Sequence, residues 1–256
     1  MIRKMILFLA VLHSGNVVAR TAQADDWGSI RGQIIVEGEI PERKLLIAKD
    51  AEVKDKAVCA AEDHFAEDLI IDKDSQGLAN VFVYLDKMPK GIDPNLVKPS
   101  EVPVTVTHKG CQFVPHCQIL RTGQVLKFSS DDQVPHNPHH SALKSASIGA
   151  LVTRNYTMEL TFRKPESFPF MISCDFHPWM KGYWLVVDHP YAALTDKDGK
   201  FEIDQLPVGE HTFKIWHERP GYLEKSFKVT VTAGGAIELP TMMIDLTRLE
   251  RPTKSK

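Results

Sequence analysis

Short β-rich runs, punctuated by Pro and Gly, recur along the chain at turn-bounded intervals. They cover Ile30 to Val36, Val81 to Leu85, Val102 to Thr107, Val125 to Phe128 and Thr157 to Phe162. The series continues with Phe170 to Ser173, Tyr183 to Val187, Phe201 to Ile203, Thr212 to Trp216 and Ser226 to Thr232. Several alternate apolar and polar residues, as in Thr212-Phe213-Lys214-Ile215-Trp216, the pattern of a half-buried antiparallel strand. Helical periodicity is scarce, and Ala48 to Ala61 is its best candidate. Evenly spaced short strands without long helices predict an all-β protein built from β-sandwiches. The length suits two such units better than one, with a boundary near His189-Pro190. Asp198-Gly199 between strands reads as a hairpin turn. The segment from Asp72 begins like a calcium loop, but its twelfth position is Val83 where a bidentate Glu is required, so turns are the better reading there too.

Charge and the N-terminus narrow the setting. Arg3 and Lys4 precede an apolar run of eight, Met5 to Leu12, and Ala22-Gln23-Ala24 supplies small residues for cleavage. This is the layout of a secretory signal peptide, residues 1 to 24. Eight apolar residues are too few to span a bilayer, which takes about 20, and no later run is long enough. Cleavage removes Arg3, Lys4 and Arg20 and leaves 28 basic against 33 acidic residues, a charge of −5. The expectation is an exported protein, periplasmic or extracellular, with no stable membrane insertion after cleavage and no basic footprint for nucleic acid. Four cysteines in an oxidising compartment suggest two disulfides unless another use claims one of them.

Two separated segments carry the chemistry. One is Val134-Pro135-His136-Asn137-Pro138-His139-His140, and the other is Ser173-Cys174-Asp175-Phe176-His177-Pro178-Trp179-Met180. An imidazole from the first, with Cys174, His177 and Met180, gives two nitrogens, a thiolate and a thioether. That set suits a trigonal copper site with a weak axial Met. A structural zinc site has little use for Met. His136, His139 and His140 all remain eligible as the first nitrogen on spacing alone.

The same motifs resemble the cupredoxins, the small blue copper proteins, over roughly residues 80 to 188. Cys174-x-x-His177-x-x-Met180 is similar to the short ligand loop of the amicyanin type. Gln112-Phe113-Val114-Pro115-His116 and Gly123 to Phe128 resemble the strands that lead to the first ligand. The resemblance implies a Greek-key β-sandwich holding one mononuclear type 1 copper through His136, Cys174, His177 and Met180. Asn137 would tie the two ligand loops together beside the sulfur, and Ser129-Ser130 departs from the Asn often found before the first His. Residues 195 to 231 resemble the carboxypeptidase-regulatory type of transthyretin-like sandwich, and the overall layout is similar to exported methylamine-utilisation-like cupredoxin proteins. The expected organisation is therefore a β segment at 25 to 79 packing on the sandwiches, a copper domain at 80 to 189, and a smaller sandwich with a tail at 190 to 256. With Cys174 given to copper, Cys59 would pair with Cys111 or Cys117. Cys111 is preferred because it lies in the family-like stretch.

Function follows from these expectations. The first reading is a non-enzymatic one-electron carrier serving a redox partner protein, with His177 and Trp179 as the electron port if the His177 ring edge reaches the surface. A copper-binding or copper-delivery protein without electron shuttling is the alternative. A surface structural or binding module with a vestigial metal site is the third. His116, His211 and His217 read as structural, and His139 with His140 are the candidates for a second metal.

Overall fold

The computed structural model describes residues 26–146, 149 and 151–250; the expected signal peptide lies outside them. In chain order, β1 (Trp27–Glu37) and β2 (Leu45–Ile47) precede a one-turn helix, α1 (Lys56–Cys59), then β3 (His64–Phe65) and β4 (Phe82–Leu85). Next come β5 (Val104–His108), β6 (Phe113–Val114), β7 (Cys117–Arg121), β8 (Val125–Ser130), β9 (Pro138–His140) and β10 (Met158–Thr161). β11 (Phe170–Cys174) and β12 (Lys181–Val187) carry the second chemical segment. β13 (Ala192–Leu194), β14 (Lys200–Pro207), β15 (Gly209–His217), β16 (Gly221–Val231), β17 (Ala236–Glu238) and β18 (Met242–Asp245) complete the series.

These strands build two sandwiches. In the first, the sheet β10-β8-β5-β6 faces β7-β12-β11-β9 across a core that includes Val106, Phe128, Ile172 and Trp184. In the second, β14-β1-β17, with β18 also on β1, faces β13-β4-β15-β16 across Ile30, Val83, Phe213 and Leu223. The all-β expectation holds, with two differences. β5–β8, β7–β12, β1–β17 and β1–β18 run parallel, because these neighbours arrive through connections that leave the sheet before returning. The Asp198-Gly199 turn is not a hairpin: β13 and β14 on either side of it belong to different sheets.

The sequence-based boundary at residue 80 also moves. β4 pairs with β13 and β15 and lies in the second sandwich rather than with the ligand strands. β1 joins the same sandwich, so chain from both ends builds one unit around the other. The reason is visible in the side chains of β4, all four of which are buried. Val83 and Leu85 enter the second core, whereas Phe82 and Tyr84 point the other way onto Cys117, Leu185 and Val187. β12 is apolar on both faces in the same manner, with Trp184 and Val186 turned into the first core. A strand buried on both sides needs a layer on each side, so the sandwiches stack face to face. Phe82→Ala should open a cavity at this junction and cost roughly 3–5 kcal/mol, measured as a lowered urea midpoint.

The helix expected over Ala48 to Ala61 shrinks to the single turn Lys56–Cys59. Asp50 and Asp55 adopt φ of 63° and 56°, and a residue in the left-handed region cannot continue a right-handed helix. The irregular segment that results runs across the first sandwich, where Cys59 forms a disulfide with Cys111.

Candidate metal centre

His136 lies between β8 and β9, fixed by reciprocal backbone hydrogen bonds with Val152. Its ring is fully buried. Nε2–H donates to Asp132 Oδ2 at 2.9 Å, which leaves Nδ1 free to accept a metal. Asp132 is itself held by the amides of Gly110 and Cys111, at 2.6 and 2.9 Å. Burial pushes its carboxyl pKa up, but the hydrogen bonds from His136, Cys111 and Gly110 outweigh this and lower it.

The other donors come from one tight loop. Cys174 ends β11, and its amide donates to Met180 O while the Met180 amide donates to His177 O. This folds seven residues back on themselves and turns Cys174, His177 and Met180 inward together; all three are buried. The Cys174 Sγ lies 3.9 Å from His136 Nδ1 and 3.7 Å from His177 Nδ1, and the two nitrogens are 3.2 Å apart. Asn137 joins the two segments. Its side chain donates to Asp175 Oδ2 at 2.8 Å, and its carbonyl accepts from the Asp175 amide at 3.0 Å.

His177 Nε2–H donates to Asp55 Oδ2 at 2.9 Å. Both imidazoles thus have one nitrogen anchored on a carboxylate and the other aimed at the sulfur. Two such lone pairs and a thiolate repel one another unless a proton or a cation lies between them. Bonds of about 2.0–2.1 Å to nitrogen and about 2.3 Å to sulfur let one ion reach all three atoms, so this donor set fits a soft or borderline metal.

The expected port is corrected here. His177 is 0% exposed, because the segment carrying Asp55 covers its edge. Its ring edge therefore does not reach solvent. Trp179 is half-buried with its ring centroid 5.3 Å from that of His177, and Pro178 beside it is exposed.

Among solved structures, similarity appears to copper proteins. A reduced amicyanin variant matches 41% of this chain and 98% of its own, at 18% identity and TM-score 0.31. A purple cupredoxin from Nitrosopumilus maritimus matches over 33% of this chain and 99% of its own, at 19% identity and TM-score 0.28. A copper-containing nitrite reductase from Thermus scotoductus SA-01 matches over 38% of this chain but only 27% of its own, at 23% identity and TM-score 0.31. No family model and no curated protein matches. Likeness at this level leaves the site to be judged on its own atoms.

Those atoms also sort the remaining histidines. His139 points outward, its Nδ1 on Asp175 and its Nε2 near Ser173 Oγ. His140 packs on Phe162 and Phe170, and its Nδ1 accepts from the Ala142 amide. Neither reaches Cys174: alternation puts His139 on the opposite face of β9, and His140, on the same face, is paired with Ile172, two residues from Cys174 along β11. His211 bonds Pro207 O, and His217 accepts from the Arg219 amide.

Three neighbours of the site carried no signal in the sequence reading. Asp132 lies one helical turn's spacing before His136, but no helix is present there to make that spacing informative. Asp55 is distant in the chain. His108, at the end of β5, stacks on His136 with centroids 4.3 Å apart and has neither ring nitrogen hydrogen-bonded. Burial pushes its pKa down to about 3, so it stays neutral.

For Cys174, burial alone would raise the thiol pKa. In the metal-free protein, where a proton on Nδ1 takes the place of a cation, hydrogen bonds from His136 and His177, with the Asn137 and Phe176 amides, prevail and bring it from 9.0 to about 6. Between those two values the unfolded chain holds a proton that the metal-free folded protein has released. This group's contribution to stability therefore grows as pH rises from about 6 toward 9 and is lost as pH falls through 6. Ultraviolet thiolate absorbance of the metal-free protein should titrate near the lower value, and a midpoint close to 9 would contradict the arrangement.

Proposed function

We propose that this chain is an exported type 1 copper protein that carries one electron at a time. The observation that carries this reading is the convergence of His136 Nδ1, Cys174 Sγ and His177 Nδ1 within 3.9 Å in a buried setting, with Met180 buried at the end of the same loop. Copper held by these four residues would supply a reversible one-electron couple. The protein's part is to keep the donors fixed: Asp132 and Asp55 lock the imidazoles, and Asn137 with Asp175 locks the loops against each other. Donors that cannot move between oxidation states keep reorganisation small. No side chain here is assigned a catalytic step.

With His177 sealed, the electron would leave through the Pro178–Trp179 surface toward a redox partner protein. We read the sandwich of β1, β4 and β13–β18 as a supporting module of the carboxypeptidase-regulatory-like kind.

The sealed His177 also favours a second reading, a copper-binding or copper-delivery protein that does not shuttle electrons. Reversible voltammetry on the copper-loaded protein, with copper retained against a chelator, supports the carrier. Loss of copper to the chelator without a reversible wave supports delivery.

A further inference from the structure

We propose that His116, Cys117 and Glu218 form a second metal site, for a divalent cation of the zinc class, where the two sandwiches meet. It does not rest on the copper reading. His116 immediately precedes β7 and Cys117 opens it in the first sandwich, and Glu218 follows β15 in the second. One ligand atom from each lies within 4.8 Å of the other two. The surroundings suit a cation. The His116 and Glu218 side chains are only 6% and 7% exposed, and Cys117 is buried.

His116 Nε2 contacts Glu218 Oε1, while its Nδ1 has no hydrogen-bond partner and faces Glu67 Oε2 at 3.7 Å. Two carboxylates thus share a single imidazole. Even a protonated His116 leaves one negative charge over in this cluster. Burial raises the Glu67 pKa, and Glu218 raises it further, against the lowering effect of His116 and Arg43. Arg219 close by is engaged with Asp68, and Lys44 and Lys181 also line the adjoining cavity.

A cavity of about 340 Å³ opens the cluster to solvent, lined by His64, Glu67, Asp68, His116, Trp179 and Glu218. An ion can therefore reach His116 and Glu218 from solvent, with the Cys117 sulfur, which does not line the cavity, within 4.8 Å of their ligand atoms. Imidazole, thiolate and carboxylate together are a zinc donor set. Burial pushes the Cys117 thiol pKa well up, so the metal-free cluster keeps its proton. Binding would transfer that proton, and any on His116, to water as the metal–sulfur and metal–nitrogen bonds form. The ion would then connect the two sandwiches at their junction.

The test uses the full chain in a Cys174→Ser background with the disulfide intact, where Cys117 is the one free thiol of the four cysteines. Titration with cobalt(II) should give a sulfur-to-cobalt charge-transfer band at one equivalent, displaced by zinc. Cys117→Ser added to this background should remove the band, and Glu218→Gln should weaken cobalt binding at least tenfold. The Glu218 variant keeps the test decisive if the Cys117 variant fails to fold. No band in the starting background, as a plain Glu–His–Glu ion cluster would give, overturns the proposal. So does a band that survives Cys117→Ser, or cobalt binding unchanged by Glu218→Gln.

Discussion

Cys174→Ser should abolish the intense blue absorption that the proposed type 1 site would give with copper(II). The band is a transition from thiolate sulfur to copper, and a serine oxygen provides no equivalent donor. In the structure no other thiol can substitute. Cys59 and Cys111 are joined to each other, and Cys117 lies at the junction of the sandwiches. Copper affinity should fall as well, by more than the roughly 10–100-fold that losing an outer hydrogen-bond partner costs. Asp132→Asn supplies that smaller reference effect, since it weakens the bond that orients His136 without removing a ligand. Visible and electron paramagnetic resonance spectra of the three proteins give the comparison. A colourless wild-type protein that still binds one copper would sink the type 1 assignment, and a blue Cys174→Ser protein would sink the ligand set.

Replacing both Cys59 and Cys111, which are buried in the core of the first sandwich, with Ser should be strongly destabilising. The bridge joins residues 52 apart, and closing a loop of that size is worth about 4 kcal/mol on the chain-entropy account. Urea denaturation of the metal-free protein measures the loss; less than about 1 kcal/mol would contradict the prediction. The same variant should alter the candidate metal site. Asp55 reaches His177 from the segment that the bridge holds in place, and the bridge sulfurs lie within 4.8 Å of a His177 nitrogen. Loosening that segment exposes the His177 edge and frees its ring to turn. The expected readout is a changed copper spectrum, together with faster electron exchange if the sealed edge is what limits it.

Much of this protein was legible in its sequence because the relevant signals are local. Alternation marked most strands, including Phe213 and Ile215 facing one core. The spacing of Cys174, His177 and Met180 places three donors on one short loop, and a loop that short has few ways to close. His136 was separable from His139 and His140 only through the family resemblance. In the structure, the bridge to Val152 fixes His136, while alternation turns His139 away and the register seats His140 opposite Ile172.

The partners of those residues were not legible, since each is set by a distant part of the chain. Asp55 meets His177 across 122 positions, and Glu218 meets His116 across 102. The expected helix over Ala48 to Ala61 failed because Asp50 and Asp55 take left-handed conformations that the sequence pattern does not encode. The same departure brings Asp55 to His177 in the candidate metal centre.

The sequence by itself determined an all-β chain and a set of soft and imidazole donors on two short segments. Only the tertiary structure decided that β1 and β4 belong with the C-terminal strands, that His177 is sealed, and that carboxylates anchor both imidazoles. The physical reason is one of range. Strand periodicity and loop closure are properties of neighbouring residues, whereas burial and hydrogen-bond partners are fixed by which layers stack and which side chains meet between them.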